Sequence, residues 1–312
     1  MRIDIKHIIP VILIVSVPNS LARTLSTTVV GAAEQLQSNS NISQVVEETA
    51  ADLVSEKVES ELQETFSNTE VSIDISPDGD NTIGILTVQP LSDPKDISNT
   101  VFGQGSIFSS DGRHTLNLGL GYRRLSDSKN WIYGINAFYD HEFPYDHSRA
   151  SVGLELRSSV IELNANEYVA LSGWKTGKNS IDEHALDGRD LEVGFAIPYM
   201  PSSRIYHKQF QWDALNGADD LKGQTTSLEI SGDILVPGLN VSLGQTTFDG
   251  NREDVEFVRL DYRLGQSAEE HTPLFSNDAF QFESMEEKRF EKVRRENQIV
   301  KQTRTRVIFR GQ

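Results

Sequence analysis

Arg113-His114-Thr115-Leu116-Asn117-Leu118-Gly119-Leu120-Gly121-Tyr122-Arg123 alternates without a break. Leu116, Leu118, Leu120 and Tyr122 fall on one side of an extended chain, and Thr115, Asn117, Gly119, Gly121 and Arg123 on the other. Period two places successive side chains on opposite faces of a strand. The same rhythm recurs outward from this stretch. Trp131, Tyr133, Ile135, Ala137 and Tyr139 share a face; Ala150, Val152, Leu154 and Leu156 oppose Arg149, Ser151, Glu155 and Arg157. Leu191, Val193, Phe195 and Ile197 face away from Asp190, Glu192 and Gly194, and Val258, Leu260, Tyr262 and Leu264 from Arg259, Asp261 and Arg263.

A soluble β-sandwich alternates too, with its apolar face turned inward. Run length separates the cases: these runs last about nine to twelve residues, as tilted membrane strands do, against about five or six in soluble sheets. Twelve segments are predicted, near 69–76, 82–90, 99–109, 113–124, 130–141, 148–158, 160–172, 188–198, 203–212, 224–235, 238–248 and 253–265. The fold class is therefore all-β, a 12-stranded antiparallel transmembrane outer-membrane β-barrel. Leu116, Leu118, Leu120, Val152, Leu154, Leu191, Val193 and Phe195 are expected to face lipid, with the charged and glycine-rich face in the lumen.

The connections support this. Ser126-Asp127-Ser128-Lys129, Ser158-Ser159, Tyr199-Met200-Pro201-Ser202 and Pro237-Gly238 are tight, whereas those after the fifth, seventh and ninth segments read as longer and polar, above all Ser172 to Gly188. Short turns on the periplasmic rim and long loops outside are the outer-membrane pattern. Trp131, Tyr133, Tyr139, Trp174, Tyr199 and Trp212 lie near strand ends, as an interfacial aromatic girdle would.

Composition agrees. The 312 residues carry 29 Lys and Arg against 46 Asp and Glu, a net charge of −17, with an isoelectric point near 4.8 and mean hydropathy of −0.39. So acidic a chain is not expected to bind nucleic acid, which needs a basic surface. The absence of cysteine removes disulfides and thiol chemistry. Residues 1–22 read as a signal peptide: Arg2 and Lys6, an apolar run from Ile8 to Val17, and Ser20-Leu21-Ala22 before the cut. The apolar run is too short for roughly 30 Å of hydrocarbon. The expected organisation is then a periplasmic linker and amphipathic helix over 23–68, the barrel over 69–265, and a linker with a short tail over 266–312.

Both flanks of the barrel are predicted helical. Ile42, Val46, Ala50, Leu53, Val54, Val58, Leu62 and Phe66 repeat at helical spacing with acids on the other face. This stripe is open to two uses: packing on the barrel rim, or pairing with a second copy into a homodimer. At the other end, residues 283–312 hold nine basic and five acidic side chains. About 20 helical residues reach about 30 Å, enough for a pore-traversing helix through a lumen lined by Glu155, Glu192, Glu229, Asp233 and Asp261. Lys288, Arg289, Lys292, Arg294, Arg295, Glu296 and Asn297 are the residues assigned to it; a solvent-exposed basic tail is the alternative.

Gly134-Ile135-Asn136-Ala137-Phe138-Tyr139-Asp140-His141 resembles the β-domain of inverse autotransporters, the intimin/invasin family. The resemblance extends through Leu118 to Arg123, His147-Ser148-Arg149, Asn164 to Tyr168, Leu171 to Lys175 and Ala196 to Pro201, and covers roughly residues 45–303. It implies a twelve-stranded outer-membrane barrel, insertion by the barrel assembly machinery with periplasmic chaperones, and a linker that threads the pore as a helix to carry an adhesive passenger outside. Arg294 to Val300 resembles the end of that linker. No lysin-motif domain precedes the barrel, and nine residues follow Thr303, against about 100 for one immunoglobulin-like domain, so no passenger is expected in this chain.

Asp140, His141, Glu142, Asp146 and His147 are ligand types that suit divalent ions, but polar residues of a solvated loop are the reading taken here, and no metal site is expected. No nucleophile-elbow motif occurs; neither enzymatic activity nor a cofactor is expected. Outer-membrane lipid is the expected partner. The leading reading is an anchor and translocator; the alternatives are a plugged or gated pore and, last, a soluble exported carbohydrate-binding sandwich.

Overall fold

The computed structural model describes residues 68–76, 81–231, 238–264 and 273–304. The signal peptide and the amphipathic helix predicted over 42–66 lie outside the described residues. Twelve strands close into one antiparallel barrel: β1 (Thr69–Ile75), β2 (Thr82–Pro90), β3 (Asn99–Ser110), β4 (Arg113–Leu125), β5 (Ile132–Phe143), β6 (His147–Arg157), β7 (Ile161–Ala170), β10 (Gly188–Ile197), β11 (Met200–Trp212), β12 (Leu221–Ser231), β13 (Leu239–Phe248) and β14 (Val255–Arg263). β1 closes on β14, with Val71 opposite Tyr262 and Ile73 opposite Leu260. Two short strands, β8 (Lys175–Thr176) and β9 (Asp182–Ala185), lie in the long loop between β7 and β10, and β15 (Lys301–Arg304) pairs with β9.

The rim where β1 starts and β14 ends is here the near rim, the opposite one the far rim. Loop asymmetry between them is weaker than the sequence suggests. β5 runs on to Phe143 and β6 begins at His147, so the connection after the fifth strand is a tight turn, because Asp140 and Glu142 belong to the inner face of the ladder rather than to a loop. The loop between β7 and β10 keeps its length because it carries β8 and β9.

Glycine placement follows from aromatic volume. Phe102 opposes Gly121, Phe108 opposes Gly84, Phe138 opposes Gly119, and Tyr206 and Trp212 oppose Gly194 and Gly188. A Cβ on Gly121 or Gly119 would stand 2.1 or 2.2 Å from the facing ring. The lumen thus accommodates large rings by removing the side chain across the ladder.

On the outer surface Leu118, Leu120, Val152, Leu154, Leu191 and Phe195 are exposed, and Val193 is half-buried. Leu116 differs: it shares the face of Leu118 but is 9% exposed against 41%, set between Ile107 and His141 across the two ladders. Tyr133, Tyr139 and Tyr199 are exposed, but Trp212 is 3% exposed. It belongs to the inward set of β11 and packs against Tyr168 at a tilt of 39° with ring centroids 5.1 Å apart, so it is no part of an outer girdle.

The predicted pore helix is absent. Between Met285 and Lys301 the only helical element is one 3₁₀ turn, Glu287–Phe290, and the rest of the segment is irregular.

Candidate functional site

The lumen is occupied by the chain itself. From Ser276 the chain follows the near rim. The Ser276 amide donates to the Tyr199 carbonyl (2.9 Å) and the Tyr199 amide to the Ala279 carbonyl (3.0 Å), under the β10–β11 turn. Ser159 Oγ, in the β6–β7 turn, donates to the Gln281 carbonyl (2.8 Å) and accepts from the Glu283 amide (3.0 Å). The Met285 amide donates to the Lys129 carbonyl (2.7 Å) in the β4–β5 turn, and there Met285 packs on Leu125 and Ile132. A hydrogen bond from Lys129 holds the Glu286 carboxyl below the ordinary carboxylate range. From Met285 the linker turns inward.

Its path is set by inward polar residues of β3–β7. Asn117, Asp140 and Arg149 occupy one row across β4, β5 and β6. Asp140, 0% exposed, accepts from Asn117 Nδ2 (2.8 Å), Arg149 Nε (2.8 Å) and both terminal nitrogens of linker residue Arg295 (2.8 and 2.7 Å). Nearer the near rim, Arg123 pairs with Glu155 (2.8 Å). They reach each other over Gly134, where a Cβ would sit 2.4 Å from the Glu155 carboxylate. Buried charges of this kind are tolerated only when paired and hydrogen-bonded.

This wall holds the linker by its backbone. Arg123 Nη1 donates to the carbonyls of Arg289 (2.8 Å) and Glu291 (2.6 Å). Asn166 Nδ2 reaches the Arg294 carbonyl (3.1 Å), Arg149 Nη2 that of Glu296 (2.7 Å) and Asn117 Nδ2 that of Asn297 (2.9 Å). The Val293 amide donates to Gln104 Oε1 (2.8 Å) and the Glu296 amide to Tyr168 Oη (2.7 Å). These bonds explain why the segment is not an α-helix. A helix would bond the Val293 amide to the Arg289 carbonyl within the segment, whereas here both go to the wall.

The linker side chains take separate roles. Lys288 borders a cavity of about 160 Å³ inside the near rim. Arg289 reaches Thr100 Oγ1 and the Asp96 carbonyl, each at 3.3 Å. Lys292 bridges Glu70 and Asp261 (2.8 Å to the latter). Arg294 meets Glu192 (2.5 Å) and Glu229 (3.2 Å) and stacks 3.5 Å from the Tyr206 centroid. Arg295 stacks on Phe138 at 4.3 Å while holding Asp140. Glu296 lies 3.5 Å from Lys208, and Asn297 contributes its carbonyl to Asn117. Of the acids expected to line the lumen, Glu155 is held by the wall's own Arg123, and Asp233 lies outside the described residues. Sequence reasoning missed Asn117, Arg123, Asp140 and Arg149 as linker contacts, although inward parity with a polar identity marks each.

At the far rim the linker leaves as a strand. Lys301 to Arg304 pair antiparallel with Ala185 to Asp182, and Lys301 Nζ bonds the Glu142 carboxylate. Glu142, His147 and Glu183 converge there, all buried. Two of the five residues weighed as metal ligands are thus brought together, joined by Glu183 from β9. The other three go elsewhere: Asp140 is held by arginines, and His141 lies against Phe143, the rings tilted by 55° (centroids 4.3 Å), with Asp146 beside it at 3.5 Å. The converging carboxylates already hold the chain's own cations, with Arg113 bonded to Glu142 (2.8 Å) and to Glu183 (2.7 Å).

A family model described as inverse autotransporter, beta-domain, matches residues 19–297. Invasin of Yersinia enterocolitica is 30% identical over 181 residues, 54% of this chain and 21% of that protein. Intimin of Escherichia coli O157:H7 is 24% identical over 278 residues, 85% of this chain and 29% of its own length. The inverse autotransporter adhesin YeeJ of Escherichia coli K12 is 26% identical over 68% of this chain and 9% of itself. The chain therefore spans less than a third of each of these three relatives. A solved chain from work named "Unveiling the Mechanism Behind the in-meso Crystallization of Membrane Proteins" superposes with a TM-score of 0.61 at 19% identity, over 76% of this chain and all of that one; the likeness is one of fold.

Proposed function

The chain belongs to the inverse autotransporter β-domain family, and from that premise we propose that this outer-membrane barrel works as a translocator and anchor. The near rim is periplasmic, the far rim faces the outside, and the linker is the trace of a polypeptide that crossed through the lumen. One observation supports this above the rest: the chain threads its own closed barrel, from Met285 at one rim to Lys301–Arg304 at the other. Backbone cannot leave sideways through lipid, where its polar groups would go unpaired, so the lumen is the path by which the terminus reaches the other side.

Lipid lies against Leu118, Leu120, Val152, Leu154, Leu191, Val193 and Phe195 in this reading, with Leu116 under its neighbours. Delivery by periplasmic chaperones, insertion by the barrel assembly machinery and a homodimer formed through residues 42–66 belong to the same proposal.

A tag appended after Gln312 tests it. Protease and antibody should reach that tag on intact cells, whereas one inserted near Ser40 should become reachable only after the outer membrane is ruptured. A C-terminal tag protected until rupture would place the terminus in the periplasm and end the translocator reading.

A further inference from the structure

We propose that the inner wall of β3–β7 is a polypeptide-binding track that recognises extended chain by its backbone, whatever its side chains, with more pairing groups than the resting linker uses. The inference rests on the translocator reading and names what the lumen binds: an unfolded segment in extended form.

Part of the track is occupied by the linker. Gln104, Asn117, Arg123, Arg149, Asn166 and Tyr168 bond carbonyls and amides of residues 289–297. A carbonyl or amide is present at nearly every residue of any sequence, so these contacts do not depend on what the chain encodes.

The unoccupied part carries the proposal. Both the oxygen and the nitrogen of the Asn136 side chain, and both of Asn164, have no hydrogen-bond partner, and neither does Gln104 Nε2. All three residues are more than nine-tenths buried: 7%, 1% and 2% exposed. Leaving a buried amide unpaired forfeits its hydration without return, so unpaired amides grouped on one wall need a reason. A side-chain amide has the donor and acceptor of a peptide group and can pair with either kind of backbone group. Asn136 and Asn166 stand on either side of Gly153 in one row across β5, β6 and β7. A Cβ at Gly153 would lie 2.5 and 2.6 Å from their Oδ1 atoms, so the glycine leaves room for a vacant amide beside an occupied one. Backbone groups along extended chain recur about every 3.3 Å. A segment that advances by a residue or two therefore exchanges one amide for the next, and lumen passage proceeds without a stage at which every bond is broken.

The test is N136L/N164L in the full chain, carrying one of two C-terminal extensions of unlike sequence, one acidic and one neutral and Ser/Thr-rich. Leucine nearly matches asparagine in shape, and removing an unpaired buried amide leaves folding intact or improved, which heat-modifiable migration on a gel verifies. The expected result is a correctly folded barrel in which both extensions reach the cell surface several times more slowly than in wild type, followed by pulse-chase with external protease. N136S/N164S, which keeps a donor and an acceptor at each site, should recover part of the rate, and N136A/N164A, which keeps neither, replaces the leucine variant if that one does not fold. Wild-type rates in the folded leucine variant would show that the amides are only hydrated and overturn the track. Slowing of one extension alone would overturn its independence of sequence. Failure of the wild-type chain to expose either extension would instead count against the translocator reading itself.

Discussion

Two parts of the barrel wall, β3–β7 and β11–β13, share one alternation and use it differently. In β5 every inward residue from Ile132 to Asp140 is buried and every outward one exposed. In β12 the inward positions from Leu221 to Thr225 are only half-buried. The outer surfaces differ too. Leu118, Leu120, Tyr122, Val152 and Leu154 make an apolar exterior on β4 and β6. On β11 and β12 the outward ladder pairs toward the far rim are His207 with Thr226, Gln209 with Gln224 and Gln211 with Lys222. The contrast teaches that burial inside this barrel reports where the linker lies, not how amphipathic a strand is. One wall grips the linker backbone; the other is reached by side chains alone, Arg294 at Glu229 and Tyr206 and Glu296 at Lys208.

The largest effect should fall on the gripping wall. Asp140 pairs with Arg149 and Arg295 at once and is fully buried. Asp140→Ala leaves two buried guanidinium groups without their carboxylate, and removal of one partner from such a pair costs about 3–5 kcal/mol. The midpoint of heat-modifiable unfolding should drop accordingly, and the C-terminal tag should become less surface-exposed. An unchanged midpoint would mean that the Asp140 cluster does not hold the linker.

A smaller effect sharpens the contrast on the outside. Leu118→Arg places a charge in the apolar exterior and should cost about 2–4 kcal/mol if it sits near the bilayer midplane. Thr226→Arg, on the polar exterior of β12, should cost clearly less in the same refolding titration into phospholipid vesicles. Equal costs would erase the difference between the two outer surfaces.

These contrasts also explain what the sequence made legible. All twelve strands are readable from period two because the outward face stays free of charge along most of each run, and the inward set of β4, from Thr115 to Arg123, stands out against it. The state of the linker is not readable. Arg294-Arg295-Glu296-Asn297-Gln298 has ordinary helix formers, and what keeps it out of a helix is hydrogen bonding to Asn166, Arg149 and Asn117, residues some 130 to 180 positions away in the chain. Leu116 and Trp212 were misplaced for a related reason: parity and strand-end position do not show which neighbour covers a side chain. Glu183 gives no signal of its own, since only the fold of the β7–β10 loop carries it to Glu142 and His147.

The smallest expected effect lies on the wall that the linker merely touches. Glu229 meets Arg294 at 3.2 Å, but Arg294 keeps Glu192 at 2.5 Å and the Tyr206 ring beneath it. Glu229→Gln therefore strands no cation. With its carboxylate 24% exposed, the loss should be about 1 kcal/mol or less. Part of it should vanish in 1 M salt, where the screening length falls to about 3 Å, while the Asp140→Ala loss, deep in the lumen, should persist. The two variants measured side by side at low and high salt compare the walls directly. A Glu229→Gln variant as unstable as Asp140→Ala at both salt concentrations would show that the linker is held from all sides, and the division into a gripping wall and a touching wall would fail.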